Sequence, residues 1–239
     1  MLERLKLQRG VAAQEVLAAC FELLEEARAR DVQRGRVGHL GVLLMKSGRF
    51  APARERFEEA LRLFASIGNE PFRLIALYNL AHLAREEENP AGALELYSAC
   101  VSLASSLGQR DVHLGATAGA GLAEFALGFS QSAEQQLADA SELATGREEW
   151  WFQGRELYDA LTLKLAGQRG DRGAVRESVV AALKRADEHD QYAAVWLAAE
   201  CASVLRALGL ESEDLLHRYA VHARALGYQP LVTRLRVPE

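Results

Sequence analysis

"RFAPARERFEEALRLFASIGN", Arg49–Asn69, is the stretch whose reading decides the fold. Its apolar spacing is that of an amphipathic helix ended by a glycine. Within it Ala53, Phe57, Ala60 and Leu61 set small and bulky residues on a fixed grid. Two antiparallel helices approach closely only where one offers a groove, and a small residue at the crossing supplies it. Ala53 and Ala60 are therefore expected to face a partner helix, while Phe57 fills the volume between neighbouring pairs.

The grid recurs along the chain. Forty residues on stand Ala93, Tyr97, Cys100 and Val101, and forty further Ala133, Leu137, Ala140 and Ser141. Another step of forty-one gives Ala174, Ser178, Ala181 and Ala182, and a step of forty back gives Ala13, Leu17, Cys20 and Phe21. The helix before each copy has its own pattern: Val37, Leu40, Gly41, Leu44, then Leu77, Leu80, Ala81, Ala84. The later copies read Thr117, Ala120, Gly121, Glu124 and Tyr158, Leu161, Thr162, Leu165. Two helices repeated at a fixed period of this length make a solenoid. Only 5 prolines break the chain, and no short alternating runs of β-branched residues signal strands. The class is all-α.

The large residue, two spacers, leucine, then glycine or alanine, followed by Ala-x-x-x-Phe, resembles the tetratricopeptide repeat. "VGHLGVLLMKSGRFAPARERFEEAL" (Val37–Leu61), with Gly48 at the turn, matches it best, and "LYNLAHLA" with "NPAGALELYSACV" comes next. The period of about forty exceeds the usual roughly 34, and the closing proline is missing. Both features are similar to the longer-helix variety of kinesin light chains and bacterial signalling regulators. The resemblance implies a right-handed superhelical solenoid of antiparallel helix pairs, about 5.5 repeats long. The expected units are 1–31 (half-repeat or cap), 32–70, 71–110, 111–147, 148–189, 190–227 and a cap at 228–239, in a single array. "ARALGYQPLVTRL" resembles the tails of such arrays on larger regulators, and the leading half-repeat points the same way. Met1 and the lack of a DNA-binding or ATPase segment point against a fragment.

Composition excludes several classes. The 239 residues are 49% hydrophobic with a formal net charge of -5, and the basic residues are scattered. That balance disfavours nucleic acid and anionic membranes as partners. Apolar runs such as Leu40–Met45 are too short to span a bilayer, and "MLERLKLQRG" has no signal-peptide core. Cys20, Cys100 and Cys201 make no disulfide framework, so a reduced cytoplasmic setting is expected. In register, Cys20 and Cys100 occupy the slot of Ala60 and Ala140 and read as small buried hydrophobes.

No nucleotide-binding, zinc-protease, hydrolase-elbow or paired-cysteine motif is present, so the expectation is no enzyme, no cofactor and no metal. "GQRGDRG" (Gly167–Gly173) follows no strand and reads as a turn. The histidines do not cluster at ligand spacing, and "REEEN" (Arg85–Asn89) reads as a solvated turn. In "EEWWFQ", Trp151 falls on the packing face, while Phe152 is either exposed in a groove or an inter-repeat contact.

With Val37, Leu40, Gly41 and Leu44 packed inward, Gly38, Val42 and Met45 point to the free face of that helix. The equivalents are Tyr78, His82 and Arg85, then Ala118, Leu122 and Phe125, then Asp159 and Leu163. In tetratricopeptide proteins this face lines a concave peptide groove, and Asn79 is similar to an asparagine that in some members bonds the ligand backbone. The competing expectation is that some of these residues pack against further helices. The lysine and asparagine set of the chaperone-tail clamp is not reproduced. Two functions follow from the resemblance: an adaptor that binds a peptide or protein segment, or a sensory module for a peptide or small signal. Self-association is left open.

Overall fold

The computed structural model describes residues 36–146, 154–210 and 213–235. The leading half-repeat, Cys20, Trp151 and Phe152 lie outside them. Eleven helices run through the described residues: α1 (Arg36–Lys46), α2 (Phe50–Ser66), α3 (Glu70–Glu86), α4 (Pro90–Ser106), α5 (Arg110–Ala126), α6 (Ser130–Ala144), α7 (Arg155–Gln168), α8 (Arg172–His189), α9 (Gln191–Ala207), α10 (Glu213–Ala225) and α11 (Gln229–Arg234). No strand occurs among the described residues. Each helix packs on the next, and α1, α3, α5, α7, α9 and α11 also pack successively on one another as an inner row. The even-numbered helices flank that row. The architecture is the expected solenoid.

The grid explains why the pairs close up. Ala53, Phe57 and Ala60 are buried, as are Ala93, Tyr97 and Cys100, then Ala133 and Ala140. The Phe57 ring lies over Gly41 of α1, where an added Cβ would come within 2.5 Å of a ring carbon. Phe57 also joins Leu80 and Leu83 of the next pair in one cluster, filling the space between repeats as the pattern predicts. Helix α5 takes this furthest: Leu114 to Ala123 is buried without a break, because glycines and alanines let neighbours approach from several sides. Tyr97 packs on Gly119, Leu161 packs on Gly121, and Gly154 meets the backbone of Gly115.

The turns share one geometry. Gly48, Gly68, Gly108 and Gly128 all hold positive φ, and Glu88 adopts φ 57° at the matching place between α3 and α4. Asn69, Asn89 and Asp171 cap the helices that follow them, each accepting from a backbone N–H three residues on.

One register departs from the sequence pattern. In α8, Ala174, Ser178 and Ala181 are exposed, whereas Val175, Val179, Ala182, Leu183 and Ala186 are buried. Helix α8 starts at Arg172, forty-two residues after α6 starts at Ser130, behind a turn of the usual three residues, so the grid falls on Val175, Val179 and Ala182 and two valines rather than an alanine and a serine leave water. In the last pair, Ala198, Cys201, Ala202 and Leu205 are buried together with Tyr219 and Ala223. Leu231 and Leu235, expected to close the last edge, are also buried.

The shifted register is testable by paired substitution. Val179→Ala is expected to lower unfolding free energy by roughly 1–3 kcal/mol, with Ser178→Ala near neutral. Equal effects in chemical denaturation would restore the unshifted register.

Candidate functional site

The inner row curls until its ends touch. Trp196 of α9 donates its Nε1–H to Glu86 Oε1 of α3 at 3.0 Å, across 110 residues of sequence. The Arg85 guanidinium stands 4.0 Å from the centre of the Trp196 ring and bonds Glu86 Oε1 at 2.9 Å. Arg234 of α11 lies 3.7 Å from Glu86 Oε2 and also pairs with Glu200, which Lys164 reaches at 3.0 Å. Further out, Lys46 Nζ sits 4.2 Å over the Tyr192 ring, and Gly48 abuts Pro230.

This curl corrects part of the expected free face. Met45, Leu122 and Leu163 are buried: Met45 packs with Leu40, Phe57, Leu80 and Leu83, and the other two join the main core. Tyr78 and Asp159 are buried as well, while Val42, Asn79, His82, Arg85 and Phe125 are half-buried. The physical reason is that successive inner helices pack side by side, so the face each turns inward meets its neighbours rather than a wide groove. "REEEN" is also not wholly a solvated turn. Its Glu86 carboxylate is 4% exposed and fully engaged at the centre of the fold.

What gathers inside is polar. Tyr78, His82 and Tyr97 stack edge to face, with ring centres 4.5 to 6.0 Å apart. Arg85 Nη2 lies 3.4 Å from His82 Nδ1. Burial, then the neighbouring Arg85 and Lys46, holds the His82 imidazole well below its usual range, so it is neutral. Burial likewise raises Tyr78 and Tyr97, which stay phenolic. Glu156, at the start of α7, is pushed up to about 7 by burial, with Asp190 and Asp159 adding to the rise and Arg85 opposing it. Lys164 is lowered to about 8 by burial and by nearby Arg234. Beside this cluster Arg155 and Asp159 pair at 3.0 Å, and Arg185 approaches Asp159 at 3.4 Å.

Several atoms at this centre have no hydrogen-bond partner within the described residues: the hydroxyls of Tyr78 and Tyr97 and the Nε and Nη1 of Arg85. Buried polar groups are normally satisfied, and each unmet one costs about 1–3 kcal/mol. Glu156, Tyr192, Trp196 and Arg234 were not singled out from sequence, while Tyr97 was read as scaffold and Glu86 as part of the REEEN turn. A signal existed for Tyr97, a hydroxyl-bearing ring in a slot filled by Phe57 one repeat earlier.

No cluster of potential metal ligands occurs among the described residues. The thiols of Cys100 and Cys201 are buried and pushed up to about 12 by that burial, which leaves them unreactive. No described helix is long and apolar enough to cross a membrane.

The tetratricopeptide repeat family model matches residues 35–106. Among solved structures, a Rap protein complexed with Competence and Sporulation Factor is similar, at 18% identity and TM-score 0.64, covering 98% of this chain and 72% of that one. BtubC (BKLC) from P. vanneervenii aligns at 17% identity and TM-score 0.59, over 95% of this chain and 94% of that one. A putative kinesin light chain with TPR-like repeats from Podosopora anserina follows at 15% identity and TM-score 0.50, over 81% and 94%. No curated protein sequence matches the chain.

Glu156 makes a pH prediction. Its folded-state value lies above the ordinary carboxylate range, so the fold favours the protonated form. Its contribution is complete below about pH 4.5 and is lost as pH rises through about 7. Melting temperature should fall across that window, and Glu156→Gln should flatten the fall and leave the protein more stable than wild type at pH 8. Parallel wild-type and variant curves would contradict the assignment.

Proposed function

Because the tetratricopeptide repeat model matches residues 35–106 and the fold is that of such repeats, and such repeats serve as interaction scaffolds, we propose that the chain is a non-enzymatic binding module. Its ligand, a peptide or protein segment, is taken on the inner face around Tyr78, Asn79 and Arg85. The observation that carries this reading is the set of buried donors of Tyr78, Tyr97 and Arg85 that no described residue satisfies. A scaffold with no other role for its inner face would fill it with apolar side chains, as α5 does. Asn79 and Phe125, both half-buried, would contact the ligand outside the polar centre.

A second reading, a sensory module that changes shape on binding, is supported by the cross-solenoid contacts of Glu86, Trp196 and Arg234. A ligand that engages Arg85 touches the same guanidinium that stacks on Trp196 and bonds Glu86, and so bears on the contacts that hold the two ends together. The solved Rap protein holds Competence and Sporulation Factor on a similar fold, which supports a ligand-responsive role here.

Site-specific photocrosslinking tests the location. A benzophenone side chain at Asn79 should give a discrete adduct in extracts of the native cell, and one at the exposed Val180 on α8 should not. Adducts formed equally at both positions, or at Val180 alone, would remove the inner face as the binding surface.

A further inference from the structure

We propose that the polar centre of the inner face binds a carboxylate, gripped by Arg85 and by the hydroxyls of Tyr78 and Tyr97. The inference rests on the binding role proposed above and names the chemistry the ligand must carry.

The unmet groups are nearly all donors. Arg85 Nε and Nη1 have no acceptor, and the hydroxyls of Tyr78 and Tyr97, rings 2% and 0% exposed, have no partner. A buried set of donors is satisfied most economically by an acceptor-only group, and a carboxylate supplies two oxygens with several lone-pair sites. The three side chains converge: the Tyr78 and Tyr97 rings are 6.0 Å apart, and His82, which touches both, carries Arg85 at its Nδ1. Arg85 is held in place from its far side by Glu86 and the Trp196 ring, so it is oriented before any ligand arrives. Its side chain is 15% exposed, with Nε and Nη1 themselves buried.

The local charge agrees. Arg85, Arg234 and Lys164 alternate with Glu86 and Glu200 in one linked chain, which leaves an excess of positive charge inside a protein of net charge -5. The carboxyl nearby, Glu156, raised to about 7 by burial, accepts from neither Arg85 Nε nor Nη1. Glycines set the position of both rings. The Tyr78 hydroxyl lies against Gly154, where an added Cβ would come within 2.4 Å, and the Tyr97 ring lies against Gly119. These residues differ from the lysine and asparagine set of the chaperone-tail clamp, and they lie deeper, between helices rather than along a groove.

A carboxylate could arrive on a peptide or on a small organic acid, and three probes distinguish them. Thermal-shift titrations compare a pool of tripeptides with free C-terminal carboxylates, the same pool C-terminally amidated, and succinate. A saturable rise in melting temperature with the free-acid pool alone assigns a peptide end, and one with succinate alone assigns a small acid. In either case Arg85→Gln should weaken binding roughly tenfold or more, and Tyr97→Phe, which keeps the ring and its packing, roughly two- to tenfold. Amidated peptides that bind as well as free acids would overturn the carboxylate while leaving inner-face binding standing. No shift with any probe, or a shift unchanged in Tyr97→Phe and Arg85→Lys, would overturn it too. The Asn79 crosslink then judges the binding role separately.

Discussion

A single buried carboxylate organises the inside of this solenoid. Glu86 closes α3, and taking its charge out of water is tolerable only with partners on every side. Trp196 supplies an indole N–H, Arg85 a guanidinium from the preceding position, and Arg234 a second cation from α11. These partners come from three helices far apart in sequence. Satisfying Glu86 therefore requires the inner row to curl until α3, α9 and α11 meet. An alternating series of repeats has no local reason to stop at one curvature, and this contact gives it one.

The same curl turns a face expected to be open into an enclosed polar centre. Small residues along α5 allow α4 and α7 to come close, and their approach brings Tyr78, Tyr97, Arg85 and Glu156 together in a low-dielectric space. There burial favours the neutral forms of His82 and Glu156, while the fixed charges of Arg85 and Arg234 remain. The outcome is a set of oriented donors with few acceptors, which is the basis for reading the centre as a binding site. Scaffold and site are linked through shared residues, since Arg85 both stacks on Trp196 and presents its unmet N–H groups.

The scaffold was legible in the sequence because close helix packing demands small residues at recurring places. Ala53, Ala60, Ala93 and Ala140 declare the crossings, and Phe57 and Tyr97 the gaps they leave. Helix α8 was misread by one step because its alanines were matched to the grid. Burial of Val175 and Val179 outweighs that match, because α8 starts forty-two residues after α6 and the grid was stepped by forty-one. The site was half legible. Tyr78, His82 and Arg85 were expected on an open face and lie instead in an enclosed centre, because repeat periodicity gives neighbours and not curvature. Glu86 looked like part of a solvated acidic turn, and only its distant partners Trp196 and Arg234 reveal otherwise. Met45, Leu122 and Leu163 were offered to a ligand on the same assumption and are spent on the core instead.

The enclosed centre depends on Glu86 and Trp196 being directly coupled across the inner face. A double-mutant cycle on Glu86→Gln and Trp196→Phe, read by chemical denaturation, tests it most directly. Contacting residues couple by about 0.5–3 kcal/mol, whereas independent sites add within roughly 0.5 kcal/mol. A coupling within the first range is predicted. Strict additivity of the two substitutions would mean that the ends of the solenoid do not meet there, and the enclosed centre would fall with it.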